Sequence, residues 1–131
     1  MLYLDSSALV KLVQVGKETA ALRGYLASQP TQPSWSSALS RTEVLRAVLP
    51  GGEPAAAQAR RILATLHLVE LRTEVLERAG ALRTGARLRT LDAIHLACAL
   101  TVAAHLAALV TYDHRMGEAA TAIGLRVVSP S

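Results

Sequence analysis

The stretch Leu91-Asp92-Ala93-Ile94-His95-Leu96-Ala97-Cys98-Ala99-Leu100, with the run Ala107-Ala108-Leu109-Val110-Thr111-Tyr112-Asp113 behind it, constrains this chain most. The first stretch repeats apolar residues at helical spacing, and Thr90 stands just ahead of it, where an N-cap belongs. The helix is expected to run to about Ala104. The second is a short apolar run of strand length that ends on an acid. A helix of about fifteen residues spans roughly 22 Å, close to the length of a strand of about six or seven residues. If the two pack antiparallel, the helix begins on the edge where the strand ends. Asp92, in the first helical turn, and Asp113 then become neighbours although they lie 21 positions apart.

The rest of the chain repeats this plan. Leu2-Tyr3-Leu4 is a short apolar run ending in Asp5, and Ser6-Ser7 leads into the helical pattern Ala8-Leu9-Val10-Lys11-Leu12. A second helix is expected over 18–27, stopping before Pro30 and Pro33. Ser34-Trp35-Ser36 is a short strand between turn signals. Ser40-Arg41-Thr42-Glu43 has the form of a capping box opening a helix to about Leu49, which Pro50-Gly51-Gly52 breaks. Pro54 suits the first position of a helix to about Leu66. A strand over 67–71, a helix over 73–84 and a basic loop over 85–89 follow. After Asp113 come a helix ending near Gly124 and a last strand over 125–128. Strands alternating with helices indicate an α/β domain with a mainly parallel sheet, and no linker or repeat divides residues 1–131.

Composition closes off several classes. Half of the 131 residues are apolar, which excludes disorder and suffices for a core. Cys98 is the single cysteine and lies within an apolar helical pattern, so a buried thiol in a reducing compartment is expected, with no internal disulfide. The N-terminus lacks the basic-then-apolar order of a signal peptide. The most apolar stretch, 96–110, is shorter than the roughly 18 residues a membrane span needs and contains His105. The expectation is a soluble cytoplasmic protein without a membrane partner. The net charge of +4, carried by twelve Arg and two Lys, leans toward polyanionic partners.

Acids are scarce and their positions are regular. The only aspartates are Asp5, Asp92 and Asp113; two follow expected strands, and the third opens a helix, as Glu43 does. Each position also suits a capping residue or one that complements a helix dipole. As a set, however, they collect where helix N-termini and strand C-terminal ends meet, the edge where ligands bind open α/β sheets. Carboxylates gathered there repel unless a cation lies between them. Oxygen-only donors suit Mg²⁺ or Mn²⁺, and the scattered histidines offer no zinc spacing. A carboxylate-held Mg²⁺ points to phosphate chemistry.

Four segments resemble the signature blocks of the PIN-domain family. They are Leu4-Asp5-Ser6-Ser7-Ala8-Leu9-Val10-Lys11-Leu12, Glu43-Val44-Leu45-Arg46-Ala47, Leu91-Asp92-Ala93-Ile94-His95-Leu96-Ala97 and Val110-Thr111-Tyr112-Asp113-His114-Arg115-Met116. The likeness covers essentially the whole chain in the expected order and is nearest to the toxin ribonucleases of VapBC-type toxin–antitoxin pairs. It implies a three-layer α/β/α sandwich around a mainly parallel sheet of about five strands. It also implies an Mg²⁺- or Mn²⁺-dependent endoribonuclease leaving 5′-phosphate and 3′-hydroxyl ends, with a cognate antitoxin and a homodimer. Asp5, Asp92 and Asp113 would be metal ligands, and Glu43 would bind a second metal or orient the attacking water. Ser6 and Thr111 match positions where a hydroxyl supports the site. Met116 departs mildly from relatives, which often carry Phe or Leu there.

Arg87, Arg89 and Arg115 flank the acids and are candidates for RNA phosphate, or else for ion pairs to the acids. Arg46 is expected to pair with Glu43 one turn away. His95 reads as a packed histidine, with proton transfer the alternative. Trp35, Tyr3, Tyr25 and Tyr112 read as packing rather than as stacking platforms for bases. The competing functions are a catalytically silent RNA- or protein-binding module and a phosphotransfer domain. Against the latter, position 7 is serine where an aspartyl phosphatase needs an acid, and no phosphate-cradling glycine loop is present.

Overall fold

The computed structural model describes residues 1–85 and 87–131. Strands β1 (Leu2–Leu4), β2 (Ser34–Ser37), β3 (His67–Val69), β4 (Ala108–Val110) and β5 (Val127–Val128) form one sheet in the order β3-β2-β1-β4-β5. Every pairing is parallel. The connecting helices are α1 (Ser6–Val13), α2 (Thr19–Ala27), α3 (Ser40–Ala47), α4 (Gly52–Ala64), α5 (Thr73–Ala81), α6 (Thr90–Thr101) and α7 (His114–Ala122).

The central strands are apolar on both faces because both are covered. Side chains alternate along a strand, so Leu2, Leu4, Ala108 and Val110 enter one core with Ala8, Leu9, Leu22, Val44 and Leu63. Tyr3 and Leu109 point the other way, onto Leu96, Cys98, Ala99, Met116 and Ala120. Helices α1–α4 thus cover one face and α5–α7 the other, giving the α/β/α sandwich. Alanines at the contacts let the helices lie close, and with no phenylalanine in the chain Tyr3 is the bulkiest fully buried side chain. Among the described residues no helix is long and apolar enough to cross a membrane.

Several expected boundaries shift. Helix α6 ends at Thr101 and a 3-10 turn (Ala103–His105) follows, whose last carbonyl accepts from the Met1 ammonium at 2.9 Å. Its N-cap is Arg89, not Thr90, which is already helical and does not cap. The Ser40–Glu43 capping box does not form: α3 starts after Leu39, and Ser40 Oγ instead lies 2.7 Å from Ser36 Oγ in a buried hydroxyl pair. Helix α4 begins two residues earlier than expected, at Gly52, so Pro54 sits in the first turn, where its missing N–H leaves no bond unmade. Helix α5 stops at Ala81 because Leu82 turns extended and packs on the α5–α6 core. The basic loop over 85–89 includes Ala86, which lies outside the described residues.

Helix α7 closes in a Schellman turn, with Leu125 N donating to Ala120 O and Gly124 N to Thr121 O, both at 3.0 Å. Gly124 adopts φ +89° there, and a Cβ would meet nothing within 4 Å. Gly124→Ala therefore carries only the left-handed conformational cost of about 1–2 kcal/mol. Thermal denaturation should show a melting temperature lower by on the order of 3–8 °C, with Gly124→Asn losing less because asparagine tolerates this conformation.

Candidate active site

The parallel register puts the functional side chains on one edge. Leu4 pairs with Val110, so the next residues, Asp5 and Thr111, meet beyond the strand ends. Asp5 is also the N-cap of α1. Its Oδ1 accepts from Ala8 N at 3.1 Å and from Ser7 Oγ at 2.6 Å, and its Oδ2 accepts from Thr111 Oγ1. Only 4% of Asp5 is exposed, and no ion pair to it occurs among the described residues. Burial pushes its carboxyl above the ordinary aspartate value, opposed by hydrogen bonds from Ser7 and Thr111, the charge of nearby His95 and the Ala8 amide.

Asp113 caps α7 in the same divided way. Its Oδ1 accepts from Arg115 N at 2.9 Å and Met116 N at 3.2 Å, while Oδ2 accepts from Arg89 Nη2 at 3.3 Å. Asp92, in the first turn of α6, accepts from Arg89 Nε at 3.3 Å through its Oδ2. Glu43, in the first turn of α3, accepts from His95 Nε2 at 2.6 Å through Oε1. Capping and site roles therefore coexist. In Asp113 a cap takes one oxygen and the other turns to the acid cluster.

A cleft of about 300 Å³ is lined by Ser6, Glu43, Arg89, Thr90, Leu91, Asp92 and Asp113. A second, of about 600 Å³, is lined by Arg87, Arg89, Arg115 and Glu118. Arg89 borders both, so an acidic cleft opens directly onto a basic one. A third cleft, of about 520 Å³ beside Leu76, Leu88 and Ile94, carries no acid.

One expectation needs correction, and one residue joins the site. Ser7 supports Asp5: its Oγ also accepts from Tyr112 N at 2.9 Å and ties α1 to the end of β4. Ser6 makes no such bond and faces the cleft. Arg46 does not pair with Glu43, whose partner is the buried His95. Thr111 does support the site, since its hydroxyl also accepts from Asp113 N at 3.1 Å and so links Asp5 to Asp113. Tyr3 is core as expected, and Trp35 stacks on His67 with ring centroids 4.9 Å apart.

The donors are carboxylate oxygens, which match a hard divalent cation in kind. Among the described residues no three Asp, Glu, His or Cys side chains are set around one ion position. A cation nevertheless already lies between Asp92 and Asp113, the guanidinium of Arg89. Asp5, a buried carboxylate with no counter-charge in direct contact, is linked to Asp113 through the Thr111 hydroxyl. The donor chemistry fits a divalent ion, although these carboxylates are not gathered around one point.

The fold and this edge define a class: a small parallel α/β domain whose carboxylates assemble from strand ends and helix first turns. The chain belongs to the PIN-domain family, whose model matches residues 2–122. It is 49% identical over 130 residues to Ribonuclease VapC46 of Mycobacterium tuberculosis, covering 99% of this chain and 98% of that one. It is 45% identical over 136 residues to Ribonuclease VapC35 of the same organism, covering 99% and 97%. Among solved structures it resembles VapC20 of M. tuberculosis, a sarcin-ricin loop cleaving toxin, with TM-score 0.79, 18% identity and coverage of 99% and 100%. A toxin–antitoxin complex from Klebsiella pneumoniae superposes with TM-score 0.76 at 23% identity, covering 100% and 98%. These two structural likenesses carry the fold alone.

Proposed function

We propose that this protein is an Mg²⁺- or Mn²⁺-dependent endoribonuclease acting as the toxin of a toxin–antitoxin pair. The observation that carries the reading is the guanidinium bridging Asp92 and Asp113, with the buried Asp5 linked to Asp113 through Thr111, a site built for positive charge. Near-full-length relatives named as ribonucleases support RNA as the substrate. Asp5, Asp92 and Asp113 would hold the metal, directly or through water, with Glu43 at a second metal or the attacking water. A metal bound there supplies a Lewis acid for the phosphoryl oxygen and a water of lowered pKa.

The chain's own residues do the rest. Thr111 and Ser7 fix Asp5 so that its carboxylate cannot rotate away. The backbone amides of Arg115 and Met116 hold Asp113 by one oxygen and leave the other for the site. Arg87, Arg89 and Arg115 line the adjoining cleft and give phosphate contacts that position RNA without reading its sequence. In-line attack then releases a 5′-phosphate and a 3′-hydroxyl. A cognate antitoxin and a homodimer complete the reading.

Purified protein is expected to cut total cellular RNA into discrete fragments with Mg²⁺ or Mn²⁺ and to stop on adding EDTA. Cleavage that persists in EDTA overturns metal dependence. No cleavage under any metal and salt condition, together with no metal uptake by calorimetry, points instead to a silent binding module. Light scattering with and without the antitoxin checks the assembly.

A further inference from the structure

One buried chain of side chains takes no part in the hydrolysis as proposed above. His95, 2% exposed, lies on α6 one turn beyond Asp92, and Tyr3, fully buried, lies on the central strand β1. The Tyr3 hydroxyl is 2.8 Å from His95 Nδ1, and the opposite ring nitrogen is 2.6 Å from Glu43 Oε1. The two rings meet edge to face, at 79° with centroids 6.0 Å apart, which leaves the imidazole little freedom to turn. Past Tyr3 the Cys98 thiol donates to Ser37 Oγ at 3.3 Å, so the chain ends in the core at one side and in the cleft at the other.

The direction of these bonds follows from chemistry. A carboxylate only accepts, so the hydrogen between His95 and Glu43 sits on Nε2. Burial drives the Tyr3 phenol well above its ordinary pKa, so the hydroxyl keeps its proton and stays hydrogen-bonded to Nδ1. The imidazole is thus anchored at both ring nitrogens. A histidine kept merely for packing would satisfy itself within the core. This one directs an N–H to an acid that lines the cleft.

We propose that His95 is a positioning residue for RNA hydrolysis: Tyr3 holds its ring in place, and its Nε2–H pins Glu43 Oε1 so that only Oε2 is presented to water or metal. This rests on the ribonuclease reading. Without His95, Glu43 retains three side-chain torsions and no fixed direction, and its oxygen reaches the attacking water in a fraction of molecules. Supporting groups of this kind are typically worth about 10- to 100-fold in activity.

The test combines ¹⁵N imidazole spectra with kinetics. In wild type the His95 signals, identified by their loss in His95→Gln, should show a hydrogen-bonded Nε2–H. Tyr3→Phe should weaken or broaden that signal, because the ring loses its second anchor. His95→Leu should lower kcat for a fluorogenic RNA about 10- to 100-fold with KM within about twofold. His95→Gln, whose amide N–H can replace Nε2–H, should recover most of it, a result that a packing role does not give. A wild-type ring without a hydrogen-bonded Nε2–H, or Leu and Gln variants that fall together or rise only in KM, overturns the proposal. Should His95→Leu not fold, Tyr3→Phe and His95→Gln decide it: kcat must fall in the first and stay near wild type in the second. If wild type cuts and His95→Leu cuts equally well, this inference fails and the ribonuclease reading stands. If wild type cuts no RNA, both fall.

Discussion

Asp5→Asn is expected to lose RNA cleavage by about 10²- to 10³-fold or more, the scale of removing one preorganised electrostatic group, while melting at a higher temperature than wild type in metal-free buffer at neutral pH. Both effects come from the same burial. The Asp5 carboxyl sits above its ordinary value because desolvation outweighs the hydrogen bonds of Ser7, Thr111 and Ala8. A folded value above the unfolded one means that the folded state binds more protons between the two. Stability therefore falls as pH rises from the unfolded value of about 3.9 through the higher folded value, and the whole cost is present once the folded carboxyl is ionised. Asparagine removes that cost, keeps an oxygen for Ser7 Oγ and Ala8 N, and turns its amide toward Thr111 Oγ1, which can accept.

Melting curves at pH 7.5 and pH 4 check this. The variant's advantage should be clear at pH 7.5 and shrink toward pH 4, where wild-type Asp5 becomes protonated. A variant less stable than wild type at pH 7.5 would mean that the three hydrogen bonds outweigh desolvation. Added Mn²⁺ supplies a second readout: wild type should gain stability by mass action, and Asp5→Asn should gain little. A stabilised, inactive variant is the expected mark of a site kept charged for function.

The alternation that places this acid was plain in the sequence. Short apolar runs ending in Asp5 and Asp113, and helices opening near Glu43 and Asp92, define parallel strands with acids at one edge, and the five-stranded parallel sheet follows that plan. Strand and helix ends were less legible, because tertiary contacts decide them: β5 is an edge strand of two residues, and Leu82 leaves α5 to pack on α6. Local cap signals misled twice. Thr90 and Ser40 have the chemistry of caps, yet Arg89 turns back to Asp92 and Ser40 finds Ser36, four residues back across the turn from β2 into α3. Ser7 adds a support for Asp5 that position alone signals, since a hydroxyl two residues after an N-cap aspartate can reach its carboxylate. The His95–Glu43 bond joins residues 52 apart on two different helices and left no local trace.

Arg89 marks where the acidic and basic halves of the site meet, and its replacement should move metal and RNA in opposite directions. Nε reaches Asp92 and Nη2 reaches Asp113, both at 3.3 Å, from a side chain that is 68% exposed. Such pairs are worth about 0.2–1 kcal/mol each, so they contribute little to folding, but a divalent ion must break both to enter. Arg89→Met keeps the stem and deletes the charge. Calorimetry should find Mn²⁺ bound roughly twofold to thirtyfold more tightly, the two pairs converted at about 1.4 kcal/mol per tenfold. In wild type the displaced guanidinium stays at the mouth of the cleft lined by Arg87 and Arg115, where it can take a phosphate. The variant lacks that contact. With an inactive Asp5→Asn background to prevent cutting, its RNA affinity should fall and its salt slope should flatten by about 0.7, one single-strand phosphate contact. In the active background, cleavage at saturating metal should drop about tenfold or more through KM. Unchanged Mn²⁺ affinity would show that Arg89 does not occupy the cation position in solution, and an unchanged salt slope would show that it does not turn to the phosphate. Tighter metal with weaker RNA is the outcome in which one arginine serves both: a counter-ion while the carboxylates wait, and a phosphate ligand once they are filled.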